Sequence, residues 1–232
     1  MGTGMNVGQL IAAGGPLMWP ILFCSVLALA ITLSKLIYFG KIRRTNTIQL
    51  KRRVFELVKE NKIKEAVEFC NAHPSPVASI LRSGVLKFGC SREEIKAEME
   101  GASLFEIPQL GKNLSLLATI ANVTPLLGLL GTVNGMIITF QTIQARSASL
   151  SAMTPGDLAA GIWQALLTTV AGLMVAIPAF VAYNYCVSQV DSLILDMERT
   201  ATELVNFLCH LSETNLAQTD NGDFSNFTNE QP

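Results

Sequence analysis

Charge is what this chain has least of. Only 15% of its 232 residues are Asp, Glu, Lys or Arg, and residues 113–145 and 158–190 contain none of these and no His. A soluble domain needs a polar surface. Half of these residues are hydrophobic and the mean hydropathy is +0.38, which indicates an integral membrane protein. Histidine is nearly absent too. His73 sits in a Pro-rich turn and His210 near a helix end, and neither has a nucleophile or carboxylate partner in view. There is no HExxH, no GxSxG and no Walker A motif; the glycine-rich stretch 128–135 lacks the Lys-Ser/Thr that phosphate binding requires. The five cysteines (Cys24, Cys70, Cys90, Cys186, Cys209) show neither CxxC nor metal-ligand spacing, so reduced thiols are expected. These absences argue against an enzyme and against a bound metal or cofactor.

What is present is three apolar runs. Each of the two uncharged runs is about 33 residues, so a helix built from either is about 50 Å long, more than the ~30 Å hydrocarbon thickness of a bilayer. A third run, 16–40, is long enough to cross once, and Lys35 near its end is expected to reach toward the headgroups. No basic segment precedes it, so a cleaved signal peptide is not expected. Fourteen of the 17 Lys and Arg residues lie in residues 41–112. The positive-inside rule places that segment in the cytoplasm and the N-terminus outside, and membrane flanking accounts for the basic cluster without nucleic acid.

The expected organisation follows from these runs. Residues 1–15 are periplasmic, 16–40 form the first membrane helix, and 41–112 form a small helical cytoplasmic domain. Residues 113–145 form the second membrane helix, 146–157 a periplasmic loop, and 158–190 the third. Residues 191–211 extend that helix into the cytoplasm, since Leu193, Ile194, Met197, Ala201, Leu204, Val205 and Leu208 keep a helical period. The polar tail 212–232 is expected to be disordered. Within 41–112, Val54, Leu57 and Val58, then Ile63, Ala66 and Val67, recur at helical spacing; HPSP (73–76) breaks the run, and SREE (91–94) is a capping box. The fold class is therefore an all-α membrane protein with three transmembrane helices, two extending into the cytoplasm.

The long runs are not plain anchors. The first carries Thr124, Pro125, Gly128, Gly131, Thr132, Asn134, Gly135 and Thr139; the second carries Gly161, Gln164, Ala165, Thr168, Thr169, Gly172, Ala176 and Pro178. Positions 161, 165, 168, 172 and 176 follow spacings of three and four, which lines small residues along one face. Such faces let backbones approach closely in lipid. Gly128, Gly131, Gly135, Gly161, Ala165, Gly172, Ala176 and Pro178 are accordingly assigned to helix packing. Thr132, Gln164, Thr168 and Thr169 have two readings, helix glue or the wall of a polar pathway, because uncharged polar groups at membrane depth must find partners.

The stretches TPLLGLLGTVNGM (124–136) and GIWQALLTTVAGLMVAIPAFVAYN (161–184), with HPSPVASIL, SREEIKAEME and LSLLATIA before them, resemble the MotA/TolQ/ExbB proton-channel family across residues 16–210. They are closer to the ExbB and TolQ branch than to MotA, whose members carry a fourth membrane helix. The resemblance implies a homo-oligomeric ring, five copies in the ExbB branch, in the bacterial inner membrane around an ExbD- or TolR-like partner. Proton flow would drive motion passed to a TonB- or TolA-like protein. It also implies that Thr132 and Thr169 are the functional threonines of the second and third helices, and that Gln164 stands where the family often has glutamate. The spans then hold no carboxylate, and a titrating acid must come from the partner. Other readings open at this stage are a TolQ-type envelope-maintenance subunit, another motor's stator, and a non-conducting helical scaffold.

Overall fold

The computed structural model describes residue 8 and residues 13–44, 47–148 and 155–227. Its contacts divide the chain into two compact units, residues 1–37 with 113–187, and residues 38–112 with 188–232. The described residues form helices α1 (Met18–Arg44), α2 (Thr47–Lys59), α3 (Ile63–Ala72), α4 (Pro76–Leu86), α5 (Arg92–Gly111), α6 (Leu114–Ala148) and α7 (Pro155–Phe227). Three segments are long and apolar enough to cross a membrane.

The first unit combines most of α1 and α6 with the first part of α7. In α1 the buried positions Met18, Ile21, Ala28, Ile31 and Lys35 fall at helical spacing on one stripe. On the other faces Trp19, Phe23, Val26 and Leu29 expose 68–71% of their surface. That pattern inverts a soluble protein, where so large an exposed apolar surface would drive aggregation. Ala28 and Ile31 of α1, Leu117, Ile120 and Ala121 of α6 and Ala179 of α7 form one core cluster, edged by Cys24, Leu27, Ala182 and Tyr183.

Lys35 departs from expectation. Instead of reaching outward it is 8% exposed, on the stripe that α1 buries, within electrostatic reach of Cys186. Its register decides this. Lys35 lies four residues after Ile31 and seven after Ala28, so the turn that buries those two also turns its stem inward.

The second unit is a set of short helices against the later part of α7. α2 buries Leu50, Val54, Leu57 and Val58, and α4 buries most of its apolar residues. α5 contributes Ile95 and Met99, and α7 contributes Met197, Leu204, Val205 and Leu208. α2 ends in a Schellman arrangement: Asn61 takes a left-handed φ of 59° while Lys62 N–H bonds Leu57 O at 2.9 Å. The HPSP break starts α4, with Ser75 as N-cap accepting from Ala78 N–H and Pro76 in the first turn. Ser91 caps α5 by accepting from Glu94 N–H. Phe55 and Phe207 stack with centroids 4.9 Å apart, Lys51 pairs with Glu203 at 3.4 Å, and Arg92 donates to Asn206 at 2.8 Å.

α7 is one unbroken helix to Phe227, past the point at Ser212 where the polar tail begins. Helical hydrogen bonds are local, each closing within four residues, so a helix can propagate beyond its last packed turn.

Candidate functional site: a glycine–threonine seam

The polar residues of α6 and α7 meet in a seam inside the first unit. On α6 one face carries small and hydroxyl residues at 124, 128, 131, 135 and 139; on α7 one face carries them at 161, 165, 168, 172 and 176. The two sets have the same spacing of four, three, four and four, so two antiparallel helices can mesh them throughout. Contact follows that order. A Cβ built on Gly172 would stand 2.9 Å from Thr124 O and 3.2 Å from Gly128 Cα. One on Gly128 would stand 3.1 Å from Thr169 Cα, and one on Gly135 2.8 Å from Ala165 Cβ and 3.2 Å from Gly161 O. At Gly131 it would run into the Thr168 hydroxyl, and at Gly161 into that of Thr139. Several of these obstacles are backbone atoms, which cannot rotate aside. Glycine is required here by close approach rather than by φ.

The hydroxyls of the seam are satisfied locally. Thr124 donates to Ile120 O at 2.6 Å, Thr139 to Gly135 O at 2.8 Å and Thr168 to Ala165 O at 2.8 Å. These three threonines are 0–5% exposed. Back-bonding of this kind removes a donor that would otherwise be unpaired at membrane depth. Thr169 behaves differently: its hydroxyl crosses to the other helix and donates to Gly128 O at 3.0 Å.

The four residues read as a polar pathway therefore occupy three settings. Thr168 is buried in the seam. Thr169, half-buried, bridges the helices. Thr132 is half-buried and donates to Leu129 O of its own helix at 2.7 Å. Gln164 is half-buried, its amide nitrogen packed against Gly15, which takes a φ of 72° in the turn before α1. Of the packing residues, Gly128, Gly131, Gly135, Gly161, Ala165 and Gly172 line the seam; Ala176 is 4% exposed on the same face of α7, and Pro178 lies within α7 beside an apolar groove against α1. Thr124 and Thr139, the hydroxyls at the two ends, were not singled out as site residues from sequence. Their signal was there in the spacing of α6, which mirrors that of α7.

No Asp or Glu lies in the two uncharged runs, and Lys35 is the ionisable side chain that α1 contributes to this unit's interior. The seam can orient hydrogen bonds and bring backbones close, but it cannot itself take up or release a proton near neutral pH.

Comparison with known proteins agrees with this architecture. The family model for the MotA/TolQ/ExbB proton channel family matches residues 72–199. The chain is 32% identical over 187 residues to a biopolymer transport protein ExbB homolog of Methanothermobacter thermautotrophicus, covering 80% of this chain and 64% of that one. It is 28% identical over 199 residues to biopolymer transport protein exbB1 of Vibrio cholerae, covering 84% and 85%. With the Tol-Pal system protein TolQ of Haemophilus influenzae it shares 36% identity over 118 residues, covering 49% and 50%. The fold is similar to that in the structure of C. jejuni MotAB, with a TM-score of 0.58 at 18% identity over 90% of this chain and 81% of that one. The chain, a three-span helical membrane protein with a meshed glycine–threonine seam, belongs to the MotA/TolQ/ExbB proton channel family.

Proposed function

We propose that this chain is the ExbB-like subunit of a motor in the bacterial inner membrane, driven by the proton gradient. In this reading copies of it, five to a ring, surround an ExbD-like partner and energise a TonB-like protein for uptake across the outer membrane. Its N-terminus is periplasmic and its C-terminus cytoplasmic. The observation that carries the reading is a polar, close-packed helix pair whose apolar runs, 113–145 and 158–190, hold not a single carboxylate. A proton channel needs a titrating group, and here a partner must bring it. An acid on a helix enclosed by these spans would have its pKa raised by desolvation and would cycle between protonated and ionised forms. Thr132 and Gln164, half-buried and polar, would sense the difference between those forms. A gradient does mechanical work only through such a difference in affinity.

Thr169 supports this role indirectly. Its hydroxyl is already given to Gly128 O, so it holds α6 and α7 in register and positions Thr132 rather than meeting the partner first. In vesicles holding the chain and its ExbD-like partner, Thr132→Val should lower gradient-driven proton flux severalfold while ring assembly and partner binding stay intact. Undiminished flux in Thr132→Val, Gln164→Leu and their double variant would leave the helix-scaffold reading in possession.

A TolQ-type role is the second reading, favoured by the 36% identity to TolQ over the aligned region. Deletion separates the two: loss of outer-membrane integrity indicates the TolQ type, and loss of receptor-dependent uptake alone indicates the ExbB type.

A further inference from the structure

The second unit holds a cavity of about 660 Å³ that plays no part in the seam. Tyr38 and Lys41 line it from the last turns of α1, His73 from the α3–α4 turn, Ser79 and Arg82 from α4, and Glu106 from α5. Three properties together suggest a ligand. The first is place. The apolar span within α1 ends at Ile42, so Lys41 stands at the end of a segment apolar enough to cross a membrane, and Tyr38 has the apolar body and polar tip of a residue that settles where hydrocarbon gives way to water.

The second is charge. Lys41 and Arg82 outnumber the one carboxylate, Glu106, which interacts with Tyr38. The third is the setting of Arg82. Among the described residues the ion pairs engage Lys51, Arg52, Arg53, Lys62, Lys87 and Lys96, and none engages Arg82. The Cys70 thiol lies within its electrostatic reach. Burial pushes that thiol up to about 11, so it is neutral and provides no counter-ion.

The geometry points to a phosphate-binding site here, filled by the headgroup of an anionic phospholipid from the leaflet at this end of α1. A guanidinium and an ammonium around a hollow at the end of an apolar span suit a phosphodiester: Arg82 offers paired N–H donors and Lys41 a point charge, while Ser79 adds a hydroxyl. Basic pockets beside membrane helices bind such headgroups on general electrostatic grounds. A soluble phosphate would meet the same groups, so the test must separate the sources.

The full-length protein in neutral detergent is titrated with phosphatidylglycerol, phosphatidylcholine or inorganic phosphate, and bound adducts are read by native mass spectrometry. Phosphatidylglycerol should bind at least tenfold more tightly than phosphatidylcholine. Arg82→Gln and Lys41→Gln should each weaken it about tenfold, as expected for loss of one charge-assisted contact. Glu106→Gln should tighten it severalfold, and a gain cannot come from misfolding. Lipid adducts that survive millimolar inorganic phosphate identify the headgroup as the source. Inorganic phosphate that binds alone and displaces the lipid keeps the oxyanion site but overturns the lipid assignment. Equal binding by wild type, Arg82→Gln and Glu106→Gln overturns the site.

Discussion

At the scale of single residues, identical substitutions have different consequences depending on what they meet. Gly172→Ala puts its methyl 2.9 Å from the carbonyl oxygen of Thr124 and 3.2 Å from Gly128 Cα, and neither can move without shifting a helix. A destabilisation of about 1–3 kcal/mol is expected, read as a lower midpoint in thermal unfolding followed by circular dichroism in mild detergent. Thr169→Val removes a hydroxyl that crosses the seam. Its cost should be about 0.6 kcal/mol, the usual size of a hydrogen bond between membrane helices. Thr132→Val, which cuts a bond within one helix, should leave the midpoint unchanged. Equal losses in the two threonine variants would contradict the distinct settings assigned to them.

Cys70 makes a residue-scale prediction about pH. Burial raises its thiol from 9.0 to about 11, so the folded state holds the proton more tightly than the unfolded state does. The stability it contributes is complete below about pH 9 and lost as pH rises through about 11. Iodoacetamide at pH 8 should therefore label exposed Cys90 in the native protein and reach Cys70 only after unfolding. Early labelling of Cys70 in the folded chain would contradict its burial.

At the scale of elements, the contrast is between two helix contacts built around glycine. Gly84 on α4 faces the Leu204 methyl and the Met99 sulfur, each 2.7 Å from a Cβ built there. Both are the far ends of flexible side chains, and Met adapts to irregular space. Gly84→Ala also gains about 1 kcal/mol of helix propensity. Its net effect should fall within about 1 kcal/mol of zero in the same melting experiment, well short of the loss at Gly172. A loss at Gly84 as large as at Gly172 would mean that the second unit packs as rigidly as the membrane seam.

At the scale of the whole molecule, sidedness follows from charge. With fourteen of 17 basic residues in 41–112, that segment is expected on the cytoplasmic side. A cysteine introduced at Ser149, which lies outside the described residues, should react with a membrane-impermeant thiol reagent in intact spheroplasts, and one at Ser83 should not. The reverse pattern would overturn the topology. The exposed apolar belt of α1 fits the same picture, since a surface of Trp19, Phe23 and Leu29 is stable only against lipid or another protein.

Three membrane-crossing helices, the HPSP break, the Ser91 cap and the continuation of the last span past residue 190 were all legible in the sequence. Each is governed by local rules: length of an apolar run, proline's missing N–H, a hydroxyl three residues before an amide, and a helical period. The small-residue face of α7 was equally legible. Other features were decided by tertiary structure, because they depend on which face meets which. Sequence could not tell that Thr169 would spend its hydroxyl on Gly128 O while Thr168 turned back to Ala165 O, since adjacent threonines are alike until a partner helix is set beside them. Nor could it tell that Lys35 would be drawn inward. A lysine near a helix end reaches for water by default, and only the packing of α1 through Ala28 and Ile31 fixes the rotation that buries it.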